Sequence, residues 1–168
     1  SDRPMKRALP AAFLAVLLIA VPAAARDSLG IWNSWGAFSD AGVPRCYAIA
    51  MAEAPRGRVN ELQPYFTVGT WPRRGARGEI HVRLSRKVGP GAVVTLTVGA
   101  QRFALLAGTA DAWAADRRMD AAVVAAMRSA AMMSVTARSA SGRTFTDTYP
   151  LAGAASAMDA ATLGCAQN

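Results

Sequence analysis

The sequence predicts a mostly-β domain of the sandwich type with one or two short helices. Glycine and proline clusters interrupt the chain at short intervals, as they do in all-β domains. Between these clusters lie short segments that alternate apolar and polar residues or are rich in β-branched and aromatic ones, which is typical of strands. Two alanine-rich segments late in the chain favour helices instead. A small α+β barrel is the alternative architecture.

The first 25 residues have the pattern of a secretory signal peptide behind a short upstream extension. Two basic residues precede an apolar run, which ends with Ala23 and Ala25 at the −3 and −1 positions of a cleavage site. A membrane anchor is the weaker alternative, because a spanning helix needs about 20 apolar residues and this run is shorter. We expect residues 1–25 to be removed, residues 26–168 to form a single β-sandwich domain, and the product to be periplasmic or secreted.

The early part of that domain is expected to consist of strands. An aromatic, glycine-interrupted stretch over residues 32–38 opens it, and strands are predicted over residues 45–51 and 65–71. Further along, residues 93–98 and 102–106 flank a Gly-Ala-Gln turn, which predicts a hairpin.

The segment at residues 79–86 shows the clearest strand pattern, since its apolar and polar residues alternate strictly. Side chains on a strand alternate between its two faces, so one set should face the core and the other the solvent. The inward set is Ile80, Val82 and Leu84, and the outward set is His81, Arg83 and Ser85.

The pattern changes to a helical period at residues 116–130. Met119, Val123 and Met127 recur at every fourth position, which places them on one helical face, and Asp116 is the expected N-cap. Strands are then predicted over residues 132–138 and 143–149, which flank a Ser-Gly turn. An alanine-rich helix is predicted over residues 154–163 and is expected to end at Gly164.

Cys46 and Cys165 are the only two cysteines, and they are predicted to form a disulfide bond. In an oxidising compartment a lone pair is most simply a disulfide, and this one would close nearly the whole exported chain. Two unpaired thiols are the alternative. A catalytic thiol is a weaker one, because His81 is the only histidine able to activate it.

Several segments together resemble the invasion-associated locus B family of secreted alphaproteobacterial proteins. They are Cys46-Tyr47-Ala48, residues 94–105, Asp111-Ala112-Trp113, residues 120–129, Met133-Ser134-Val135, and, most specifically, residues 146–153 with the terminal helix that ends in Cys165. The resemblance implies an exported immunoglobulin-like β-sandwich without known catalytic residues. Many relatives carry a further cysteine near their leading tryptophan, whereas residues 35–39 contain none. The family is named for a member associated with host-cell invasion, so a host-contact or virulence role is one alternative function.

The segment from Trp71 to Arg77, which we call the basic loop, is the candidate binding site. Its three arginines, Arg73, Arg74 and Arg77, can bind phosphate or carboxylate groups through forked donors, and the indole of Trp71 can stack. Export argues against nucleic acid and favours lipid phosphates, acidic cell-wall polymers or an acidic protein. A solvated basic loop without a partner is the alternative.

Other residues give little support for catalysis. His81 is the only candidate base for a Ser/His/Asp arrangement and is expected to be a solvent-facing strand residue. Asp116 and Asp120 are interpreted as a helix-entry pair, and Asp147 as a residue that bonds neighbouring hydroxyl and backbone groups. The methionines at positions 127, 132 and 133 are interpreted as core residues rather than copper ligands.

The composition agrees with a small basic folded domain. The 168 residues are 52% hydrophobic and 18% charged, with a net charge of +8, which argues against disorder. One histidine and two cysteines exclude a histidine-rich metal site and a four-cysteine zinc site within one chain. We expect no catalytic residues, no cofactor and no metal.

The function expected from the sequence is therefore a non-enzymatic exported interaction module stabilised by one disulfide. Its partner is expected to be an unknown protein or an anionic envelope component, with peripheral contact to a membrane surface as one form of that binding. A small exported enzyme inhibitor, or an enzyme of unknown substrate, is the alternative.

Overall fold

The computed structural model describes residues 26–55, 57 and 59–166, so the predicted leader at residues 1–25 lies outside the described residues. The described chain forms ten strands, a short 3-10 helix at Pro72–Arg74 and two α-helices. The strands and helices are, in chain order, β1 (Arg26–Trp32), β2 (Trp35–Asp40), β3 (Arg45–Met51), β4 (Tyr65–Trp71), β5 (Ala76–Arg83), β6 (Val94–Val98), β7 (Gln101–Ala107), β8 (Asp111–Trp113), α1 (Arg117–Met127), β9 (Met132–Arg138), β10 (Thr144–Pro150) and α2 (Ala154–Ala166).

The strands form one antiparallel sheet in the order β1-β2-β3-β4-β5-β8-β7-β6-β9-β10. The sheet curls so that its two ends face each other across the core, and its two halves are joined at β7, which pairs with both β8 and β6. The prediction of a mostly-β, sandwich-like fold with two helices is confirmed. The short β8 and the opening strand β1 are not among the strands that the sequence pattern predicts.

Several elements have the bounds that their patterns predict. Strands β3 and β4 coincide with residues 45–51 and 65–71, and β6 and β7 form the predicted hairpin. The aromatic opening stretch proves to be part of a hairpin between β1 and β2. Its turn contains Asn33 at φ 53°, a left-handed conformation that asparagine tolerates better than most residues.

The first helix begins as its sequence predicts. The Asp116 carboxylate accepts a hydrogen bond of 2.8 Å from the backbone N–H of Met119, which is the geometry of an N-cap. Val123 and Met127 are buried. The interior of this helical face is therefore part of the core.

The predicted end of the last helix is wrong. Gly164 lies inside α2, which continues to Ala166, and it is not in a left-handed conformation. A Cβ atom at this position would lie 2.6 Å from Cδ1 of Leu29. Glycine is present here because β1 packs closely against α2.

The core lies between the inward faces of the curled sheet and α2. Trp35 and Tyr149 from opposite ends of the sheet both contact Phe66 edge to face, with ring centroids 6.3 Å and 5.8 Å apart. Small buried residues of α2, among them Ala157 and Ala161, allow the helix to approach the sheet closely.

The predicted disulfide between Cys46 and Cys165 is confirmed, with the two Cα atoms 5.7 Å apart. The bond joins the inward face of β3 to the last turn of α2, across 119 positions of sequence. It therefore anchors the C-terminal helix on the sheet.

The alternation predicted for residues 79–86 holds within β5 and fails beyond it. Ile80, Val82 and Leu84 are buried as expected. Ser85, which was expected to face outward, is only 2% exposed. The prediction is wrong because β5 ends at Arg83, so strand alternation no longer determines where Ser85 points.

Candidate functional site

The basic loop connects β4 to β5 at one end of the sheet. Pro72–Arg74 form a single 3-10 turn, and the N–H of Gly75 donates to the carbonyl of Pro72 at 3.2 Å. Gly75 has φ 61°, a left-handed conformation that favours glycine. Because both ends of the loop lie in paired strands, its backbone is held in place.

Two members of the candidate site are engaged within the protein. The Arg74 guanidinium lies 4.9 Å from the ring centre of Trp71 and 3.9 Å from the Glu79 carboxylate. The Arg45 guanidinium, from β3, also lies over the Trp71 ring, at 5.3 Å, and over Tyr47, at 4.6 Å. Arg74 and Trp71 therefore shape the loop, and Arg74 is partly neutralised.

Arg73 and Arg77 are the members of the loop that project into solvent. Both are exposed, and neither has an ion pair with any residue in the described part of the chain. They border two clefts that share Cys165. One cleft, of about 200 Å³, contains Arg77 with Thr70 and Thr162. The other, of about 330 Å³, contains Arg73 with Arg45, Asp27 and Asp40.

The interiors of the two clefts carry no excess of positive charge. In the larger cleft, Asp27 and Asp40 balance Arg45 and Arg73. The smaller cleft borders the end of α2 at Cys165 and Ala166, where the backbone carbonyls carry partial negative charge. The exposed guanidinium groups of the loop are the favourable positions for phosphate or carboxylate.

His81 lies on the outward face of β5, as predicted, but its environment differs from the solvent-facing one expected. Its side chain is 24% exposed, and Nε2 lies 2.8 Å from Asp111 Oδ1. Arg83 donates to the other oxygen of Asp111, also at 2.8 Å. The imidazole lies between the rings of Tyr65, at 5.7 Å, and Trp113, at 5.6 Å.

Sequence reasoning missed this carboxylate because Asp111 is 30 positions away and on a strand of only three residues. Strand pairing makes Asp111 the cross-strand partner of Arg83, next to the pair formed by His81 and Trp113. In the described part of the chain, no hydroxyl group hydrogen-bonds to the His81 ring. The arrangement is therefore a histidine–carboxylate pair, and the neighbouring hydroxyl of Thr67 donates to the backbone carbonyl of His81, at 3.4 Å, rather than to its ring.

Asp147 has a structural role, but its hydrogen-bond partner is distant in the sequence and is not one of the neighbouring groups expected from the sequence. It is 5% exposed, and its carboxylate accepts a hydrogen bond of 2.9 Å from the N–H of Ser85, 62 positions away. Burial raises the pKa of the Asp147 carboxyl, and hydrogen bonds from Ser85 oppose that rise. The residue connects β10 to the chain just after β5.

Asp120 makes a similar contact from α1. Its Oδ1 accepts from the N–H of Ile80 at 2.9 Å, which ties α1 to β5. Burial raises the pKa of Asp120, and the bond from Ile80 opposes the rise. Asp116 caps the helix, so the two acids of the predicted helix-entry pair serve different partners.

The methionine cluster is divided by the fold. Met127 and Met133 are buried in the core, whereas Met132 is 43% exposed.

Within the described residues there is no group of three or more His, Cys, Asp or Glu side chains placed to hold a metal ion. None of the helices in that part of the chain has the length and apolar character needed to cross a bilayer.

One comparison with known proteins gives a match. The family model described as "Invasion associated locus B (IalB) protein" matches residues 46–162. The matched region begins at Cys46 and includes the basic loop, His81, Asp111 and Asp147. No curated protein and no solved structure matches the chain significantly.

Proposed function

The chain belongs to the invasion associated locus B family, and from this premise we propose that it is an exported, non-enzymatic interaction module that binds an anionic component of the bacterial envelope. The observation that carries the proposal is the pair of exposed arginines, Arg73 and Arg77. Neither has an acidic partner in the described chain, although Arg74 between them does.

The disulfide supports export. Disulfides form and persist in oxidising compartments and are rare in the cytosol. Cys46 and Cys165 are paired, and the described chain has no free cysteine. Together with the signal-peptide pattern of residues 1–25, this pairing favours the periplasm or the exterior as the place of action.

The loop has the properties of an anion-binding surface. A guanidinium group offers planar, forked donors that match phosphate and carboxylate oxygens. Arg73 lies in the 3-10 turn and Arg77 near the start of β5, so both project from a backbone that is held by β4, β5 and Gly75. A held backbone reduces the entropy lost when the arginines engage a ligand. The shared ligand chemistry is an array of phosphate or carboxylate groups, from a lipid surface or from an acidic polymer.

The test compares Arg73→Ala/Arg77→Ala with the control Arg117→Ala/Arg138→Ala, which removes the same charge from exposed positions elsewhere. Binding is measured on vesicles that contain phosphatidylglycerol and, separately, on purified acidic cell-wall polymer. We expect wild type and the control to bind at low salt, and the loop variant to bind about tenfold or more weakly. Binding should fall as salt rises, because exposed charges are screened beyond about 8 Å at physiological ionic strength.

The two arms identify the source of the anion, since binding to only one of them selects lipid or polymer. Equal losses in the two variants would show an effect of general charge and contradict a role for the loop. Absence of binding to both materials at low salt would contradict the proposed function.

A further inference from the structure

A groove lies on the outward face of the sheet, on the side opposite the core and α2. Strand pairing places Tyr47, Gly69 and Glu79 side by side on β3, β4 and β5. Gly69 has no side chain, so the flanking residues stand two strand spacings apart, about 9 to 10 Å. The glycine therefore forms the floor of a depression between Tyr47 and Glu79. The lining residues are Arg45, Tyr47, Thr67, Gly69, Trp71, Glu79, His81 and Trp113.

Aromatic rings form both walls of the groove. On one side lie Tyr47, which is only 6% exposed, and Trp71, and the Arg45 guanidinium covers both rings. On the other side lie His81 and Trp113, whose rings are tilted by 35° with centroids 5.6 Å apart. Trp113 is 40% exposed, so its ring is available to a ligand. The His81 ring is held in place by its bond to Asp111.

The three arginines beside the groove, Arg45, Arg74 and Arg83, each lie near an acidic side chain, which distinguishes the groove from the two exposed arginines of the loop. Arg74 lies 3.9 Å from Glu79, and Arg45 lies 3.9 Å from Asp40. Asp111 holds both His81 and Arg83 at 2.8 Å. An uncharged ligand suits such a surface better than an anion.

Polar groups nevertheless line the groove. Glu79 has a partly exposed carboxylate, and Thr67 contributes a hydroxyl. The Nε of Arg45 is buried without a hydrogen-bond acceptor in the described part of the chain. Donors and acceptors thus occur beside aromatic rings, a combination that suits a ligand with an apolar face and a hydroxylated rim.

From these features we propose that the groove binds one hexopyranose ring of an uncharged glycan. The C–H groups on one face of such a ring carry partial positive charge and pack on the negative face of an aromatic π-system. The hydroxyl groups around the ring exchange hydrogen bonds with Glu79, Thr67 and Arg45. The groove encloses about 150 Å³, well below the volume of a pocket for a drug-sized molecule, and so accommodates a single ring. The site is distinct from the proposed anion-binding function, because Arg73 and Arg77 do not line it.

Two variants test the groove directly. Gly69→Ala fills its floor: the glycine has no positive φ, and its added Cβ would lie 3.4 Å from Trp71 Nε1, an ordinary contact. Trp113→Ala removes the exposed wall. The matched controls are Gly89→Ala, where an added Cβ meets nothing within 4 Å, and Leu163→Ala, an exposed side chain on α2, on the other side of the sheet.

The probes are a neutral tetrasaccharide of glucose and one of N-acetylglucosamine, titrated into the whole protein by calorimetry and tryptophan fluorescence. We expect saturable binding of at least one probe with a Kd on the order of 1 mM. Gly69→Ala and Trp113→Ala should each weaken it about tenfold or more, while both controls leave it unchanged. Arg73→Ala/Arg77→Ala should also leave it unchanged, so the two proposals can fail separately. The groove is not a sugar site if wild type binds neither probe at about 20 mM, or if Gly69→Ala binds as wild type does.

Discussion

The indole Nε1 of Trp35 donates a hydrogen bond of 2.8 Å to the backbone carbonyl of Pro150, 115 positions later in the chain. Trp35 lies on β2 and Pro150 ends β10, so this bond joins the two ends of the curled sheet. Trp35 is fully buried, and its ring also contacts Phe66 edge to face. The Trp35 side chain thus links the two ends of the sheet.

Trp35→Phe should destabilise the protein by about 2 to 4 kcal/mol. With phenylalanine at this position, the Pro150 carbonyl loses its hydrogen-bond donor. The smaller ring also leaves a cavity where part of the indole was. Urea unfolding followed by circular dichroism measures the change. An unfolding free energy within about 0.5 kcal/mol of wild type would show that the bond contributes little.

Removing the disulfide should lower stability by about 2 to 5 kcal/mol, because Cys46–Cys165 restricts a loop of 119 positions in the unfolded chain. The Cys46→Ser/Cys165→Ser variant should therefore melt on the order of 10 °C below wild type in calorimetry. Wild type with its disulfide reduced is the control and should melt near the variant. Equal melting temperatures for the oxidised protein and the variant would contradict this role.

At position 147, alanine and asparagine should differ. Asp147→Ala leaves the Ser85 N–H buried without an acceptor and should cost about 2 to 3 kcal/mol, whereas Asp147→Asn keeps an acceptor and should cost less. Chemical unfolding at neutral pH compares the two. Equal losses would show that the hydrogen bond to Ser85 is not the reason for the cost.

The same residue should make stability depend on pH. Because burial raises the folded-state pKa of Asp147, the folded protein holds the proton to higher pH than the unfolded chain, and its stability falls as pH rises through that interval. Asp120 acts in the same direction, so the measured quantity is the difference between wild type and Asp147→Asn at each pH. As pH rises above the ordinary value of 3.8, the wild type should therefore lose stability relative to the variant. If the difference in unfolding free energy between wild type and variant stays constant with pH, the raised pKa of Asp147 is contradicted.

Asp111→Ala should cost more than His81→Ala, since Asp111 holds both His81 and Arg83. The pairs are partly solvated, so we expect a coupling of about 1 kcal/mol between His81 and Asp111 in a double-mutant cycle. The sequence pattern alone predicts almost no effect for a solvent-facing histidine. If the losses of unfolding free energy in the two single variants are additive, His81 and Asp111 are not coupled, and His81 behaves as the solvent-facing residue that the sequence pattern predicts.

Gly153→Ala should be strongly destabilising, because Gly153 has φ 89° and an added Cβ would overlap the backbone carbonyl of Trp32. Gly142→Ala is the matched control, with φ 86° and nothing within 4 Å of the added Cβ. The control should lose about 1 to 2 kcal/mol from backbone strain, and Gly153→Ala clearly more. Equal losses of stability in Gly153→Ala and Gly142→Ala would show that β1 shifts to make room for the added Cβ atom.

Local patterns in the sequence determined most of the secondary structure. The strict alternation of Ile80, Val82 and Leu84 predicted a buried strand face, and Asp116 marked the start of α1, because strand alternation and N-capping depend only on nearby residues. The disulfide followed from there being two cysteines in a chain whose first 25 residues predict export. The location of a basic loop at residues 71–77 was likewise readable from its residue types.

Only the tertiary structure decided which of these side chains meet. Strand register joined His81 to Asp111 and Asp147 to Ser85, and the β4–β5 hairpin turned Arg74 toward Glu79, leaving Arg73 and Arg77 without acidic partners in the described chain. Gly164 belongs to the same group, since its place inside α2 depends on Leu29 of β1. The physical reason is that a sequence period specifies which face a residue occupies. The residue opposite it is set by pairing between strands that are distant in the chain, and a one-residue change of register would exchange every such partner.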